Sequence, residues 1–205
     1  MVSYIQEARM INSIPTRIAD RMQYLERLDT ADREDGTERL KRLRQIPPET
    51  GQFISLMLML APKNAVIEIG TSAGYSTLWL ALACRNRDMK ITTYEILPEK
   101  SKLAAETFNL TKTDDIVTLI DGDARNYLEA HKEIGFCFLD AEKEVYQDCY
   151  DLVIPRLVAG GILVADNAIN HADTLQPMID FALSDKRIDG MVIPVGKGLL
   201  LCRKH

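Results

Sequence analysis

From Ala65 to Asp166, short apolar runs alternate with segments of helical periodicity, and this alternation restricts the chain to few folds. The apolar runs predict strands at Ala65–Ile69, Lys90–Glu95, Ile116–Asp121, Gly135–Asp140 and Gly161–Asp166. The segments between them predict helices at Tyr75–Cys84, Pro98–Leu110, Ala124–His131 and Glu144–Leu157. Strands joined by helical crossovers pair in parallel, and a parallel sheet needs helices on both faces. The sequence therefore predicts an α/β fold with a doubly wound, mostly parallel sheet.

The two ends of the chain follow other patterns. Residues 1–61 carry apolar side chains at helical spacing and no strand pattern, which predicts a helical N-terminal section before an α/β core at 62–205. Near the other end, Met191–Pro194 and Leu199–Cys202 are separated by a short link with two glycines. Such a link permits a hairpin and leaves no room for a helical crossover, so one antiparallel edge strand is predicted. We expect residues 1–205 to form a single domain.

Composition limits the partners of this protein. With 205 residues, a net charge of −5 and four cysteines without a C-x-x-C pair, the chain is typical of a globular protein in a reducing compartment. Its acidic balance disfavours nucleic acid and anionic membranes as partners. The longest apolar stretch, Phe53–Ala61, is shorter than the roughly 20 residues that span a bilayer, and the start has no secretion signal. We expect a cytoplasmic protein without membrane contact.

The ends of the first three predicted strands have features of a nucleoside site. In open α/β sheets, ligands bind beyond the carboxyl ends of the strands. The first strand leads into a glycine-bearing turn and a helix, Glu68-Ile69-Gly70-Thr71-Ser72-Ala73-Gly74-Tyr75-Ser76. Glu95 ends the second strand, 25 residues after Gly70, where a carboxylate can accept hydrogen bonds from both ribose hydroxyls. After the third strand, Asp121-Gly122-Asp123-Ala124 could meet an adenine edge. For Gly70 and Gly74, the alternative interpretation is a tight structural turn that binds no ligand.

The fourth and fifth predicted strands end in oxygen-bearing side chains. Asp140 ends the fourth strand, and Asp166 and Asn167 end the fifth. Two carboxylates and an amide oxygen suit Mg²⁺, with Mn²⁺ and Ca²⁺ as alternatives, and suit Zn²⁺ poorly. The alternative is that each aspartate caps the segment after it, which is more common for one such residue than for both.

These motifs together resemble the metal-dependent O-methyltransferase family that includes catechol and caffeoyl-CoA O-methyltransferases. The resemblance covers Pro47 to Lys204 and rests on Glu49–Phe53, Glu68–Ser76, Phe138–Lys143, Gly160-Gly161 and Asp166-Asn167. The family's usual Asp-Ala-Asp-Lys reads Asp-Ala-Glu-Lys here, with Glu142 at the changed position. The acceptor-clamping residues of the catechol enzymes have no evident counterpart.

The resemblance implies transfer of a methyl group from S-adenosylmethionine to a hydroxyl oxygen of a small-molecule acceptor, assisted by a divalent cation. The candidate cofactor residues are Glu68, Gly70, Thr71, Ser72, Ser76, Glu95, Ala124 and Asp140. The resemblance further implies that Asp140, Asp166 and Asn167 hold the metal and that Lys143 is the base. By analogy with relatives that often pair, a homodimer is one candidate assembly. The basic cluster Arg39, Lys41, Arg42 and Arg44 is interpreted as a solvated helix face rather than an anion site.

Two other functions compete with methyl transfer. Gly70 to Gly74 also matches G-x-S-x-G, the nucleophile elbow of α/β hydrolases, with Ser72 as the nucleophile. That reading needs a histidine in reach, and the chain has only three, of which His171 follows Asp166 too closely for the usual separate acid and base strands. A non-catalytic nucleoside-binding protein would use the glycines and Glu95 without needing Lys143 or the metal set.

Overall fold

A computed structural model describes residues 14–205 and shows one seven-stranded sheet within that range. Residues 1–13, the start of the predicted helical section, lie outside the described residues. The strands are β1 (Ala65–Ile69), β2 (Ile91–Glu95), β3 (Val117–Asp121), β4 (Ile134–Leu139), β5 (Leu157–Ala165), β6 (Ile188–Ile193) and β7 (Leu199–Lys204). Their order across the sheet is β3-β2-β1-β4-β5-β7-β6.

The pairing of the strands confirms the predicted fold class. Strands β1 to β5 pair in parallel, and α-helices form the crossovers between them except from β3 to β4. Strand β7 runs antiparallel to both β5 and β6, so the hairpin predicted at the end of the chain lies at the edge of the sheet. The reversed strand β7 sits one place in from that edge, and β6 is outermost. The division into one domain stays a prediction.

Six helices cover the two faces of the sheet in the described range. They are α1 (Thr16–Glu34), α2 (Pro48–Leu60), α3 (Tyr75–Asn86), α4 (Pro98–Thr111), α5 (Tyr146–Val153) and α6 (Ala172–Ser184). Strand β4 shows how the core is divided: Phe136 and Phe138 pack with α1 to α4, whereas Cys137 and Leu139 pack with α5 and α6. Successive residues of a strand point to opposite faces, so a fully apolar strand supplies both cores.

The segment between β3 and β4 differs from its prediction. The helix predicted at Ala124–His131 is wrong, because two short 3₁₀ turns, Ala124–Asn126 and Leu128–Ala130, occupy this segment. A carboxylate oxygen of Asp123 accepts a hydrogen bond from the Arg125 amide at 3.0 Å, which stabilises the start of the first turn. Tyr127 then takes a φ of −119° and separates the two turns.

The N-terminal section is anchored to the α/β core by polar contacts of α1. The Tyr75 hydroxyl donates to a Glu26 carboxylate oxygen at 2.6 Å, and the buried Arg21 donates to Thr107 at 3.0 Å. Helix α1 therefore lies against α3 and α4. It leads into residues 35–47, here called the strap, which pass over the carboxyl ends of the strands before α2. Within residues 14–205, no helix is both long enough and apolar enough to cross a membrane.

Candidate active site

A cavity of about 510 Å³ lies between the strap and the carboxyl ends of the parallel strands. This is where open α/β sheets bind ligands, because helices leave β1 and β4 toward opposite faces there. The residues predicted from sequence that line the cavity are Gly70, Thr71, Ser72, Ser76, Glu95, Ala124, Asp140, Lys143 and Asn167. Glu68 and Asp166 lie outside the lining and are fully buried.

Gly70 begins the turn between β1 and α3 and permits a close contact with β4. Its φ is +99°, and a Cβ atom at this position would lie 2.0 Å from the main-chain oxygen of Asp140. The ends of the two strands are also hydrogen-bonded, since the Asp140 amide donates to the Ile69 carbonyl at 2.9 Å. Only glycine fits this backbone, so the turn stands directly against Asp140.

Glu95 is held against the same turn by main-chain amides. One of its carboxylate oxygens accepts from the Ser72 amide at 2.7 Å, and the other accepts from the Leu97 amide at 3.0 Å. Ser72 has a φ of +47°, a conformation uncommon for a side chain with a Cβ. Each carboxylate oxygen keeps a second lone pair, so Glu95 can still accept hydrogen bonds from a bound hydroxyl.

Asp140, Asp166 and Asn167 converge at the ends of β4 and β5. The Asn167 amide nitrogen donates to Asp140 at 2.8 Å and to Asp166 at 3.1 Å. Oδ1 of Asp166 is buried and has no hydrogen-bond partner within residues 14–205. Burial, reinforced by the charge of Asp140, raises the pKa of Asp166 to about 7.

The oxygen atoms of Asp140, Asp166 and Asn167 are suitable ligands for a hard divalent cation. Two carboxylates and an amide oxygen are the ligands that Mg²⁺ prefers, and the unpartnered Oδ1 of Asp166 has an acceptor position that a cation would satisfy. The Asn167 amide would have to turn its oxygen toward the cation. In the part of the chain that the structure describes, no three Asp, Glu, His or Cys side chains form a group that could hold a metal ion. The set at the ends of β4 and β5 differs from such a group because its third side chain is the amide of Asn167.

Comparison with known proteins identifies the family. The family model described as "O-methyltransferase" matches residues 16–205, nearly the whole chain. The chain belongs to the O-methyltransferase family. A relative from Medicago sativa, caffeoyl-CoA O-methyltransferase, is 28% identical over 181 residues that cover 76% of this chain and 73% of the relative. This confirms the resemblance found in the sequence and the prediction of an O-methyltransferase.

Solved structures share the fold of this methyltransferase. The Podospora anserina methyltransferase PaMTH1, solved with SAH bound, gives a TM-score of 0.74 at 24% identity over 95% of this chain and 91% of that one. TomG from Streptomyces achromogenes, solved in complex with SAM, gives 0.73 at 19% identity over 94% and 91% of the two chains. The likeness confirms the Rossmann-like sheet with its antiparallel edge.

Lys143 of the methyltransferase lies beside Asp140 at the start of a 3₁₀ turn. Its ammonium donates to a carboxylate oxygen of Asp140 at 3.3 Å, to the Ala141 carbonyl at 2.8 Å and to the Tyr146 hydroxyl at 3.0 Å. The side chain is 10% exposed. These contacts fix Nζ next to the predicted metal ligands. The predicted base therefore lies beside the set of Asp140, Asp166 and Asn167, here called the acid set.

Glu68 does not line the cavity but stabilises the turn between β1 and α3 through hydrogen bonds. It accepts hydrogen bonds from the Thr77 and Thr93 hydroxyls, and Thr93 also contacts Thr71 of the turn. Burial raises the pKa of Glu68 to about 7, against the opposing effect of these hydroxyl groups. Glu68 thus connects β1, β2 and α3 beneath the turn.

The strap contributes residues that sequence reasoning did not assign to the site. Arg39 and Arg44 of the basic cluster line the cavity, whereas Lys41 pairs with Glu38. The Arg44 guanidinium forms an ion pair with Glu142, the position where the family motif changes. The solvated-face interpretation is therefore wrong for Arg44, since a loop rather than a helix carries it over the cavity.

Lys100 is a second residue that the sequence analysis missed. It lies in the first turn of α4, lines the cavity and is 5% exposed. A signal was present in the sequence, because a helix dipole disfavours a cation in the first turn. A lysine there, five residues after Glu95, indicates that something other than the stability of the helix favours a cation at this position.

The hydrolase alternative lacks its base. The Ser72 hydroxyl donates to the main-chain oxygen of Leu43 in the strap at 2.9 Å. Within the described range, no histidine forms a hydrogen bond with Ser72, and His131 is engaged with the Tyr94 hydroxyl. The strain at Ser72 instead aims its amide at Glu95.

Replacing Gly70 by alanine should disrupt the junction between β1 and β4. We expect the free energy of unfolding to fall by on the order of 4 kcal/mol or more, because both the positive φ and the Asp140 carbonyl oppose a Cβ. Gly36→Ala is the matched control, since Gly36 also has a positive φ but no atom within 4 Å of its Cβ position. Only about 1–2 kcal/mol should be lost there. Equal losses in urea unfolding would contradict a steric role for Gly70.

The ionisation of Glu68 should make stability depend on pH. Its pKa is raised on folding, so the folded state holds a proton that the unfolded state releases above its ordinary pKa. The stability from this group is present at low pH and decreases as pH rises from about 4.5 to about 7. Melting temperatures of wild type and Glu68→Gln should diverge over this range, with the wild type losing more. Parallel curves would show that folding does not raise the pKa of Glu68.

Proposed function

We propose that this protein transfers a methyl group from S-adenosylmethionine to a hydroxyl oxygen of a small-molecule acceptor, with a divalent cation beside that oxygen. The observation that carries the proposal is the contact between Gly70 and the Asp140 carbonyl. It puts the turn facing Glu95 and the side chains of Asp140 and Asn167 on adjoining walls of one cavity, with Asp166 buried behind them and hydrogen-bonded to Asn167. Both a nucleoside donor and an acceptor then have a defined place.

The donor part of the proposal is supported by the contacts of Glu95. Two main-chain amides orient its carboxylate, and the residue is 7% exposed. The carboxylate is therefore already positioned to accept hydrogen bonds from a ribose. Holding two reactants in line can lower a barrier by roughly 7–11 kcal/mol, and methyl transfer from a sulfonium needs such alignment above all. The solved relatives with SAH or SAM bound have the same fold, which supports this choice of donor.

The metal part of the proposal is supported by the chemistry of the acid set. Asp140, Asp166 and Asn167 would hold the cation, with Mg²⁺ as the first choice. A divalent cation held there would act as a Lewis acid and make a nearby hydroxyl more acidic. The elevated pKa of Asp166 is the expected property of a buried carboxylate that lacks a cationic partner.

Lys143 would then take the acceptor's proton at Nζ. Its nitrogen donates hydrogen bonds to three acceptors as an ammonium, and it must first lose one proton to solvent in the cavity before it can act as a base. The Tyr146 hydroxyl, which lies 3.0 Å from Nζ and 3.2 Å from the Asp166 carbonyl, would hold the lysine in place during this exchange. A homodimer in the cytoplasm stays a prediction from the sequence.

Glu95→Gln should weaken binding of S-adenosylhomocysteine roughly tenfold or more, because hydrogen bonds to an ionised carboxylate are replaced by weaker neutral ones. Titration calorimetry measures this directly. Glu99→Gln, an exposed neighbour in the first turn of α4, is the control and should bind like the wild type. An unchanged affinity in folded Glu95→Gln would contradict the ribose assignment.

Asp166→Asn and Lys143→Met should fail in different ways once an acceptor is found with labelled S-adenosylmethionine. Asp166→Asn should lose metal affinity and rate together. Lys143→Met should keep metal affinity and lose kcat by roughly 10²–10⁴-fold, as for a removed general base. Lys132→Met, at an exposed position, controls for loss of charge. Full activity of the wild type with chelator and of Asp166→Asn would exclude a catalytic metal.

A further inference from the structure

Side chains, rather than main-chain pairing, hold the segment 43–46 of the strap. Within residues 14–205, no hydrogen bond between main-chain atoms involves this segment. Two carboxylates of α1 accept amides of the strap. On the cavity side, Nζ of Lys197 donates to the Arg44 carbonyl at 3.4 Å and to the Gln45 carbonyl at 3.2 Å. The position of the strap therefore depends on a few side chains, one of which comes from the link between β6 and β7.

Lys197 also contacts the loop that follows β5. Its main-chain oxygen accepts from the Ile169 amide at 3.2 Å and from the Asn170 amide at 3.0 Å. Asn167 of the acid set lies in the same loop, two residues before Ile169. Lys197 lines the cavity as well. One residue thus bonds the strap through its side chain and the loop of the acid set through its main chain.

Close packing fixes the link on either side of Lys197. Gly196 has a φ of +57°, and a Cβ atom there would lie 2.2 Å from Oγ1 of Thr50 in α2. Gly198 has a φ of +87°, and a Cβ atom there would lie 2.3 Å from Cγ1 of Ile169. The main chain of the link therefore lies directly against α2 and against the loop after β5. Because only glycine fits at both positions, the side chain of Lys197 extends from a fixed main chain.

The strap is strained at a residue that Lys197 holds. Arg44 has a φ of +52°, a conformation uncommon for a residue with a Cβ. Such a conformation persists only where the surrounding contacts maintain it. The Arg44 guanidinium forms an ion pair with Glu142, which precedes Lys143 in the sequence. Loss of the Lys197 contact would let the main chain at Arg44 relax, and this wall of the cavity would lose its fixed position.

We propose that Lys197 is a positioning residue that fixes the strap relative to the acid set and so maintains the acceptor side of the cavity. The role of that wall rests on the proposed function, whereas the contacts themselves need no ligand. A fixed strap gives an acceptor a preformed surface. With a loose strap, an acceptor must also order residues 43–46 when it binds, and the entropy cost weakens binding. Other contacts hold Glu95 and Lys143, so donor binding and the chemical step should change little.

Hydrogen exchange measured by mass spectrometry tests the contact without any ligand. The Leu43 and Gln45 amides are bonded to α1 carboxylates and exchange when this part of the strap opens. In Lys197→Met they should exchange on the order of tenfold faster than in the wild type, because two hydrogen bonds from an ammonium are lost. Lys197→Arg keeps a cationic donor and should restore most of the protection. Lys186→Met, at an exposed position before β6, is the matched control and should exchange like the wild type.

Steady-state kinetics test the role of the contact in the reaction, with an acceptor identified by labelled S-adenosylmethionine. Lys197→Met should raise the KM for that acceptor roughly tenfold while kcat stays within about threefold of the wild-type value. Its affinity for S-adenosylhomocysteine should stay within about twofold by titration calorimetry. Lys197→Arg should return the KM toward the wild-type value. A general loss of stability would not change KM alone.

Three results would overturn the inference. Unchanged exchange of the strap in Lys197→Met would mean that the contact does not hold it. Faster exchange in β1 as well as in the strap would indicate a general structural role. A loss of kcat with an unchanged KM would place Lys197 in the chemical step instead of the acceptor wall.

Two further outcomes are kept apart by the design. If Lys197→Met does not fold, Lys197→Gln takes its place with the same expected results, since its shorter side chain cannot reach both carbonyls. Wild-type protein that binds no S-adenosylhomocysteine and methylates no acceptor would contradict the proposed function and, with it, the role of the acceptor wall. Hydrogen exchange would still decide whether Lys197 holds the strap.

Discussion

The contact between Gly70 and the main-chain oxygen of Asp140 is the constraint on which the rest of the site depends. Because no Cβ separates them, the first turn of the sheet and the end of β4 meet backbone to backbone, and the Asp140 amide continues the pairing to Ile69. The same Asp140 then directs its side chain toward Asn167 and Lys143. A single residue therefore forms the boundary between the wall proposed for the donor and the wall proposed for the metal, and main-chain geometry rather than flexible side chains would set the distance between the two reactants.

The electrostatics of the cavity follow from unmatched buried charges of both signs. Asp166 has a buried oxygen without a partner in the described range, and Lys100, 5% exposed, places a cation in the first turn of α4, where the helix dipole opposes it. Each destabilises the protein by itself, since desolvation is not offset. A cation beside Asp166 would offset the cost of burying its carboxylate. In the proposed function, stability is given up at positions where ligands would bind, and the apolar cores on the two faces of the sheet supply the difference.

The sequence predicts the sheet well because strand length, crossover helices and glycine turns are local signals. The sequence could place Gly70, Glu95, Asp140 and Asn167 at the cavity because each ends or follows a strand, and strand ends of a parallel sheet meet at one edge. The 3₁₀ turns after Asp123 were missed because a side-chain hydrogen bond overrides helical spacing. The strap and Lys100 were missed for another reason: their roles depend on contacts between distant segments, which periodicity does not encode.

The strap explains why the acceptor is harder to read than the donor. Three separate elements hold it: Ser72 through the Leu43 carbonyl, Glu142 through Arg44, and Lys197 of the β6–β7 link through the Gln45 carbonyl. Glutamate at position 142 is one methylene longer than the aspartate of the family motif, and it is the side chain that meets Arg44. The donor wall is built from main chain at strand ends, whereas the wall formed by the strap depends on long side chains. If the proposed function holds, substitutions along the strap would change the acceptor without disturbing the donor, and the acceptor's identity would then depend on a segment that carries no recognisable motif.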